Sequence, residues 1–433
     1  MAISSARDFR PLWHYSPSSG WINDPNGLLW DGKLWHLFAQ HTPQKRKPGD
    51  MYWLHAVSED LIHWRELGIA IAPDELGVIY SGSAVMDGDQ YAAIFTHHGK
   101  TEQQSLAFSE DGVNFTPYSG NPVIKNTALR DFRDPKVFRN EALGGWSMVV
   151  AAGPALHFYH SSDLLEWEQT GAFGEKENRL GGIFECPDLF PLPAPGGGTL
   201  WVLTASMAPA GGGNCMQYFL GAFDGHTFRQ TVPTDALLLI DAGPDNYAAV
   251  TFFQANCDSR TQPIQIGWAN NWAYAARTPT GNWRGCMTLA RRLSLVQTGQ
   301  GIRLAAQPVL PPLGQPKPAS GDCPLPGESF VLDIEAPGDF SAAFVNSTGE
   351  RFAFGCENGV FYTDRTKTGR LLFNTARTPR LLDGPVRMHV VFDRCVTEIF
   401  ADDGIYANTT LLFPKRPYEA LELQGAKAEF LEV

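Results

Sequence analysis

A short motif recurs four times along the chain at nearly regular intervals. The copies are SEDLIHW at 58–64, SEDGVNF at 109–115, SSDLLEW at 161–167 and AFDGHTF at 222–228. Each copy has an aspartate followed four residues later by an aromatic residue, and the aspartates are 51, 52 and 61 residues apart. A period of about 50 residues is the size of one four-stranded propeller blade. The motif therefore favours a β-propeller over a single sandwich with similar turns.

The stretches between the copies have the character of β-strands. Short segments rich in aromatic and β-branched residues recur there: LWHLFAQH, QYAAIFTHH, WSMVVAAG and LWVLTAS. Glycine, proline or aspartate bounds these segments, as is typical of strands. No long segment has helical periodicity. We therefore predict an all-β fold, with a propeller over residues 1–306.

The composition changes after the predicted propeller. Residues 307–326 contain seven prolines. Proline fixes φ and lacks an amide hydrogen, which predicts an extended linker rather than the interior of a sheet. Beyond it, segments of alternating character predict a β-sandwich over residues 327–433: SFVLDIEA, FSAAFVNS, RFAFGCE, GVFYTDRT, VRMHVVFD and VTEIFADD. Its aromatic residues are expected in the core: Phe352, Phe354, Phe361 and Tyr362.

The overall charge limits the class of partner. Acidic residues outnumber basic ones by 46 to 34, which gives a net charge of −12 and argues against a nucleic-acid partner. A neutral substrate remains open. No segment is long and apolar enough to span a membrane, and the N-terminus lacks the apolar core of a signal peptide. We expect no membrane partner and a cytoplasmic location, or secretion after removal of a leader.

Other sequence signals do not indicate a metal or a cofactor. The seven cysteines are widely spaced without a CxxC pair, so we expect no zinc site and a mostly reduced protein. Adjacent His97 and His98 would diverge on a strand, which is poor metal geometry. The chain has no P-loop, no dinucleotide-binding glycine pattern and no GxSxG elbow. The sequence does not indicate an oligomeric state.

Three acidic residues lie in rigid local settings on separate predicted blades. Asp24 lies in WINDPNG, a turn-like cluster whose proline and glycine would fix the backbone. Asp134 follows Arg133, whose charge would favour the ionised carboxylate. Glu185 follows an apolar pair, and apolar surroundings favour the protonated form that a proton donor requires.

Each acid alone could be structural, but the three together indicate a site. A propeller gathers the first strands of its blades around one axial funnel. Two carboxylates with a stabilising third fit glycoside hydrolysis. The chain also has 12 tryptophans, whose rings suit the apolar faces of sugars. We therefore predict that the funnel cleaves a sugar.

Several motifs resemble those of glycoside hydrolase family 32, which includes invertases, exo-inulinases and levanases. The matching stretches follow the family's order: WINDPNG, SGSAV, FRDPKVF, ECPDLF, MQYFLGAFDGHTF, IGWANNWAYA and PTGNWRGCMTL. The resemblance covers nearly the whole chain and implies a five-bladed β-propeller followed by a C-terminal β-sandwich. It also implies a retaining, exo-acting β-fructofuranosidase for sucrose, fructo-oligosaccharides, levan or inulin, with no cofactor or metal.

The resemblance assigns roles to the three acids. Asp24 would be the nucleophile at C2 of a fructofuranosyl unit, Glu185 the general acid and then base, and Asp134 an ionised group that binds fructose hydroxyls. The resemblance implies substrate-binding roles for Asn23, Gln40, Trp53, Tyr80, Ser81, Arg133, Cys186 and Trp268. Cys186, directly after the proton donor, would tune Glu185.

The chain departs from the family pattern at the expected rim of the pocket. Pro48 stands where relatives usually have Trp, Tyr52 and Leu54 replace His and Gly, and Tyr80 replaces a familiar Phe. The lost indole removes stacking area and Leu54 adds bulk. The resemblance therefore leaves the preferred leaving group open.

Three alternative functions remain at this point. A fructosyltransferase would use the same mechanism with a sugar acceptor in place of water. A non-catalytic sugar-binding relative would be expected to lack part of the triad, yet all three acids are present. An inverting, arabinan-type propeller hydrolase would release the opposite anomer.

Overall fold

The computed structural model describes residues 7–126, 128–207, 213–232, 234–254, 262–369 and 371–431. Within these ranges the chain forms 34 strands and two short 3-10 helices, Ala275–Arg277 and Asp402–Gly404. The predicted all-β fold is confirmed. In the described ranges no helix is long or apolar enough to cross a lipid bilayer.

Five sheets form the blades of a propeller. Blade I contains β1 (Gly20–Trp30), β2 (Trp35–Thr42), β3 (Tyr52–Ser58) and β4 (Trp64–Ile71). Blade II contains β5 (Val78–Asp87), β6 (Gln90–His98), β7 (Glu102–Ser109) and β8 (Thr116–Pro117). Blade III contains β9 (Phe132–Arg139), β10 (Trp146–Ala152), β11 (Ala155–Ser161) and β12 (Glu168–Phe173). Blade IV contains β13 (Phe184–Pro193), β14 (Thr199–Met207), β15 (Cys215–Phe223) and β16 (Phe228–Gln230).

The last part of the propeller forms blade V and closes the ring. Its strands are β17 (Tyr247–Thr251), β18 (Phe253–Gln254), β19 (Ile264–Trp268), β20 (Trp283–Arg284), β21 (Arg291–Thr298) and β22 (Gly301–Pro308). Blade V consists of β17, β19, β21 and β22, whereas β18 and β20 pair in parallel with β1 of blade I. The first strands of the blades, β1, β5, β9, β13 and β17, contact one another in a closed ring. The predicted five-bladed propeller with its inner strands on the axis is confirmed.

The recurring motif forms the turn between the third and fourth strands of blades I to IV. In the first copy, Oδ1 of Asp60 accepts hydrogen bonds from the backbone N–H groups of Ile62 and His63 at 2.9 and 2.8 Å. The other three aspartates make the same pair of bonds: Asp111, Asp163 and Asp224. An Asp oxygen that accepts from the backbone two and three residues later stabilises such a turn. The motif therefore fixes blade geometry and lies outside the funnel.

The C-terminal strands form a sandwich of two six-stranded sheets. In chain order they are β23 (Pro316–Ala319), β24 (Cys323–Pro324), β25 (Ser329–Ala336), β26 (Phe340–Val345), β27 (Arg351–Glu357), β28 (Val360–Lys367), β29 (Thr375–Pro379), β30 (Val386–Asp393), β31 (Val396–Ala401), β32 (Tyr406–Leu411), β33 (Ala420–Gln424) and β34 (Lys427–Leu431). Phe352, Phe354 and Phe361 are buried in the core between the sheets, as predicted, because alternate residues of a strand share one face. Tyr362 points to the other face and is only half-buried.

The boundary between the domains differs from the predicted one. Residues 307–326 were expected to form a linker, but β23 pairs with β34 and β24 pairs with β33. Both are edge strands, where proline is tolerated because one side needs no amide donor. Residues 12–14 also pack on the sandwich, since the N–H of Trp13 donates to Asp393 at 2.8 Å. The sandwich therefore begins within the proline-rich segment.

Buried ion pairs join the propeller to the sandwich. Arg291 of β21 lies 2.8 Å from Asp241 of the propeller and 2.8 Å from Glu398 of β31. Arg365 of β28 forms a second buried pair with Asp245 of the propeller. Removing one member would leave an uncompensated buried charge. These pairs therefore hold the two domains in a fixed relation.

Candidate active site

The inner strands of all five blades carry the same irregularity near the axis. In each, two residues of the inner strand lie opposite one residue of the second strand: Asn23-Asp24, Tyr80-Ser81, Asp134-Pro135, Cys186-Pro187 and Ala248-Ala249. Such a bulge re-aims side chains out of the regular alternation. A narrow pocket on the axis is lined by residues at or next to these bulges. The bulges therefore bring the candidate residues of separate blades to one place.

The segment around Asp24 is a bulged strand and not the predicted turn. All eleven residues of GWINDPNGLLW belong to β1. Pro25 follows the bulge, a position in a strand that tolerates proline. Gly27 has a φ of 53°, and a Cβ atom there would lie 2.6 Å from Cδ2 of Phe38. The glycine therefore allows close packing of β1 on Phe38.

The two oxygens of Asp24 have different surroundings. Oδ2 accepts a hydrogen bond from Oγ of Ser81 at 2.9 Å and lies 3.5 Å from Sγ of Cys186. Oδ1 is buried and has no hydrogen-bond partner among the described residues. Burial raises the pKa of the Asp24 carboxyl, the Asn23 amide lowers it, and the charge of Glu185 raises it further. A buried carboxylate oxygen without a partner calls for a functional explanation, and attack on a substrate is one that fits a nucleophile.

Cys186 connects two of the acids through a strained bulge. Both Asp134 and Cys186 have left-handed backbone, with φ of 64° and 44°. Such strain persists where the surrounding structure enforces it, often at functional sites. The N–H of Cys186 donates to Oδ2 of Asp134 at 2.9 Å, and its Sγ lies 3.6 Å from the same oxygen. The thiol thus contacts Asp24 and Asp134, whereas the resemblance implied an effect on Glu185.

Burial outweighs the effect of Arg133 on Asp134. The neighbouring guanidinium lowers the pKa of Asp134, as the sequence predicted, but burial and two nearby carboxylates raise it to about 7. The reason is geometric, because Arg133 donates to Glu185 and to Glu102, each at 3.0 Å. Arg133 therefore favours the ionised carboxylate, as predicted, but burial has the larger effect on the pKa of Asp134.

Glu185 lies in polar surroundings, not in the apolar setting that the sequence predicted. Its Oε1 accepts from Arg133 at 3.0 Å, and its Oε2 accepts from the hydroxyl of Tyr247. Tyr247 begins β17, so the inner strand of blade V also contributes to the site. This tyrosine was not predicted as a site residue. Its place directly after the turn residues PDN, at the start of a strand, was the available signal.

The other predicted pocket residues divide into polar neighbours and buried supports. The amide of Gln40 lies 3.1 Å from Oγ of Ser81, which in turn bonds Asp24. Trp53 and Trp268 have no exposed surface. The indole N–H of Trp53 donates to the carbonyl of Tyr80 at 3.0 Å, so it supports the pocket wall from behind. Direct contact of Trp53 and Trp268 with a sugar stays a prediction.

An exposed tryptophan that was not predicted as a site residue packs against Trp268. Trp272 is 38 % exposed, and its ring lies 4.7 Å from that of Trp268 and 5.9 Å from that of Trp21. Trp21 in turn donates to Asn23 at 2.7 Å, next to Asp24. In IGWANNWAYA the first tryptophan ends β19 and is buried, whereas the second lies beyond the strand. Trp272 is therefore the accessible ring on this side of the site.

The predicted rim at residues 48–54 lies only partly at the surface. Pro48 is exposed and Tyr52 is partly exposed. Leu54, in contrast, is 3 % exposed and packs in the core with Trp21 and Met51. Blade I is covered on both faces, so this residue of β3 is enclosed. The prediction that Leu54 adds bulk to the rim is therefore wrong.

Comparisons with known proteins identify the family. Residues 14–308 match the model described as Glycosyl hydrolases family 32 N-terminal domain, and residues 346–432 match Glycosyl hydrolases family 32 C terminal. The chain belongs to glycoside hydrolase family 32. The family 32 resemblance seen in the motifs is confirmed, and the protein is a glycoside hydrolase.

Individual relatives of this family 32 protein cover almost its whole length. It is 37 % identical to a levanase of Bacillus subtilis over 97 % of this chain and 68 % of the relative. The crystal structure of exo-inulinase from Aspergillus awamori has a TM-score of 0.88 at 28 % identity, covering 100 % of this chain and 99 % of that one. A fructofuranosidase from Schwanniomyces occidentalis complexed with fructose has a TM-score of 0.87 at 27 % identity, covering both chains completely.

Proposed function

We propose that the protein is a retaining, exo-acting β-fructofuranosidase in which Asp24 is the nucleophile and Glu185 the acid and base. The observation that carries the proposal is the convergence of three carboxylates from three blades: Asp24 and Asp134 both contact Cys186, and burial and the charge of Glu185 raise the pKa of both. The names of its relatives, levanase, exo-inulinase and fructofuranosidase, support a terminal β-D-fructofuranosyl unit as the substrate.

In the first step, Oδ1 of Asp24 attacks C2 of the fructofuranosyl unit. The bond from C2 to the leaving oxygen breaks, and the proton of Glu185 moves to that oxygen. Oδ1 suits this role because it has no hydrogen-bond partner among the described residues, whereas Oδ2 already accepts a hydrogen bond from Ser81. The product of the step is a fructosyl ester of Asp24 and a released alcohol.

In the second step, Glu185 acts as a base. It removes a proton from water, whose oxygen attacks C2 and releases Asp24, so two inversions restore the original configuration. A sugar hydroxyl can replace the water, which would give transfructosylation by the same route. Arg133 and Tyr247 hold the two oxygens of Glu185 from different blades. This fixed position supports the exchange of a proton in both steps.

Asp134 would stabilise the positive charge that develops on the sugar. Its Oδ2 is held by the N–H of Cys186 at 2.9 Å. An ionised carboxylate beside the ring stabilises an oxocarbenium-like transition state and accepts from sugar hydroxyls. Because its pKa is raised to about 7, this ionised form increases as the pH rises through neutrality.

A buried ion pair joins the inner strands next to the acids. Nζ of Lys136 lies 3.3 Å from Oδ2 of Asp188 and also donates to the carbonyl of Thr251. These residues belong to the inner strands of blades III, IV and V, and Lys136 lines the axial pocket. The pair therefore ties together the strands that carry Asp134 and Glu185, and the exo mode of action is supported by the exo-inulinases among the relatives.

The test is a time course on sucrose, 1-kestose, inulin and levan with every product resolved. We expect free fructose from the wild type, and loss of its release in Asp24→Ala. Asp163→Asn is the matched control, because it changes an aspartate of the outer turn motif. No turnover of any of the four substrates would overturn the proposal. Mainly longer oligosaccharides with little free fructose would instead establish a fructosyltransferase.

A further inference from the structure

His98 and Tyr80 form a stacked pair beside the pocket. Their ring centroids are 4.2 Å apart and the ring planes differ by 10°. Tyr80 precedes Ser81 in the bulge of β5, whereas His98 ends the neighbouring strand β6. The side chain of His98 is 43 % exposed, in contrast to the buried acids. Burial raises the pKa of Tyr80 and the charges of Glu102, Asp134 and Glu185 raise it further, so the pair lies beside the carboxylates.

Glu102 fixes the orientation of the His98 ring. Nδ1 of His98 lies 3.0 Å from Oε1 of Glu102. Burial raises the pKa of Glu102, but the bonds from His98 and Phe132 and the charge of Arg133 outweigh it and keep the pKa below its ordinary value. Glu102 is therefore an acceptor, so Nδ1 carries the hydrogen. In the neutral imidazole, Nε2 is then an acceptor with no protein partner among the described residues.

The His98 ring lies on the same side of the site as Glu185, through Glu102 and Arg133. Nη1 of Arg133 binds Glu102, and Nη2 of the same guanidinium binds Glu185. Glu102, which binds His98, and Glu185, the proton donor, thus bind the same guanidinium. Because Glu185 must protonate the leaving oxygen, the leaving group has to stand next to this part of the wall. Asp24 lies on blade I and is bonded through Oδ2 to Ser81 of blade II, the blade that also carries His98.

We propose that His98 binds the leaving group, with Nε2 accepting a hydrogen bond from a hydroxyl of the sugar that departs. The ligand class is a hydroxylated ring, either glucose of sucrose or the next fructosyl unit of a fructan. Tyr80 stacks on the histidine ring and limits its rotation. Glu102 accepts from Nδ1 of His98 and so fixes the tautomer of the histidine. The inference rests on the proposed β-fructofuranosidase function and assigns His98 a role in substrate choice.

The test compares two substrates that differ only in the leaving group. The leaving group of sucrose is a sugar, whereas that of β-D-fructofuranosyl fluoride is a fluoride ion. In His98→Ala we expect kcat/KM for sucrose to fall about tenfold more than kcat/KM for the fluoride, the loss typical of one neutral hydrogen bond. His98→Gln, which keeps an acceptor, should recover part of the difference. His63→Gln is the matched control, since His63 also bonds a carboxylate through Nδ1 but lies in an outer turn.

A second measurement uses the reverse reaction. The leaving-group site must also bind the acceptor in transfructosylation, so His98→Ala should reduce transfer from the fluoride to added glucose relative to hydrolysis. Equal losses on sucrose and on the fluoride would overturn the inference, because His98 would then act only through Glu102 and Arg133. No loss on sucrose would overturn it as well. If the wild type hydrolyses neither substrate, the proposed function fails and this inference fails with it.

Discussion

The thiol of Cys186 lies 3.5 Å from Oδ2 of Asp24, although the two residues are 162 positions apart in the chain. The contact spans blades I and IV and depends on a bulge in each inner strand. Burial and three nearby carboxylates raise the pKa of the thiol well above its ordinary value, so it stays protonated and can donate. Cys186 is therefore a donor that lies between two carboxylates.

Two replacements of Cys186 test whether its contribution to activity comes from hydrogen-bond donation: Cys186→Ala removes the donor and Cys186→Ser keeps one. We expect Cys186→Ala to lower kcat about tenfold, because a bond to a charged group contributes roughly 1.5 kcal/mol or more and the thiol is a weak donor. Cys186→Ser, which keeps a donor, should lose less activity. Steady-state kinetics on sucrose check both values. Equal rates for the Ala variant and the wild type would show that the thiol has no part in the reaction.

The raised pKa of Asp134 predicts that Asp134→Asn stabilises the folded protein but abolishes activity. The unfolded chain loses this proton at about pH 4, whereas the folded protein keeps it up to a pKa of about 7. The stability contributed by the protonated form is therefore fully present below about pH 4 and is lost as the pH rises through 7. Asp134→Asn removes this loss. At about 1.4 kcal/mol per pKa unit, the raised pKa corresponds to about 4 kcal/mol in the free energy of unfolding.

Thermal unfolding of Asp134→Asn and of the wild type at pH 5 and pH 8 checks this prediction. The variant should gain more in Tm at pH 8 than at pH 5, and its activity should be lost. Asp111→Asn in the outer turn is the control for a change of net charge. A gain that is equal at both pH values would show that the Asp134 carboxyl does not titrate in this range.

The buried pair of Lys136 and Asp188 predicts a large loss of stability when one partner is removed. Lys136→Met leaves Asp188 as an uncompensated buried charge, which costs roughly 3–5 kcal/mol. In Lys136→Met/Asp188→Asn no charge remains, and the amide oxygen can still accept from the N–H of Thr251. Urea unfolding should therefore find the double variant more stable than the single one. The opposite order would argue that the pair is not the source of the stability.

Periodic features of the sequence predicted the architecture well. The spacing of Asp60, Asp111 and Asp163 indicated blades because each aspartate closes a local turn whose bonds lie within four residues. Alternation likewise predicted the sandwich core around Phe354. Local patterns of this kind depend only on neighbours in the chain, so a single sequence contains them.

The geometry of the site could not be predicted in the same way. WINDPNG and FRDPKVF were interpreted through turns and neighbouring charges, yet both are bulged strands. The prolines after Asp24, Asp134 and Cys186 were the signal for a bulge, since proline in a strand is confined to edges and bulges. The contacts of Glu185 with Tyr247 depend on packing between blades, which no local pattern encodes.

The central claim is that Asp24 forms a covalent bond to fructose. The most direct test is peptide mass spectrometry of Glu185→Gln after incubation with β-D-fructofuranosyl fluoride. Fluoride leaves without a proton, and the missing base slows hydrolysis, so the intermediate should accumulate. We predict one fructosyl group on the peptide that contains Asp24, and none in Asp24→Ala/Glu185→Gln. A fructosyl group on another residue, or release of the inverted anomer without an adduct, would contradict the account.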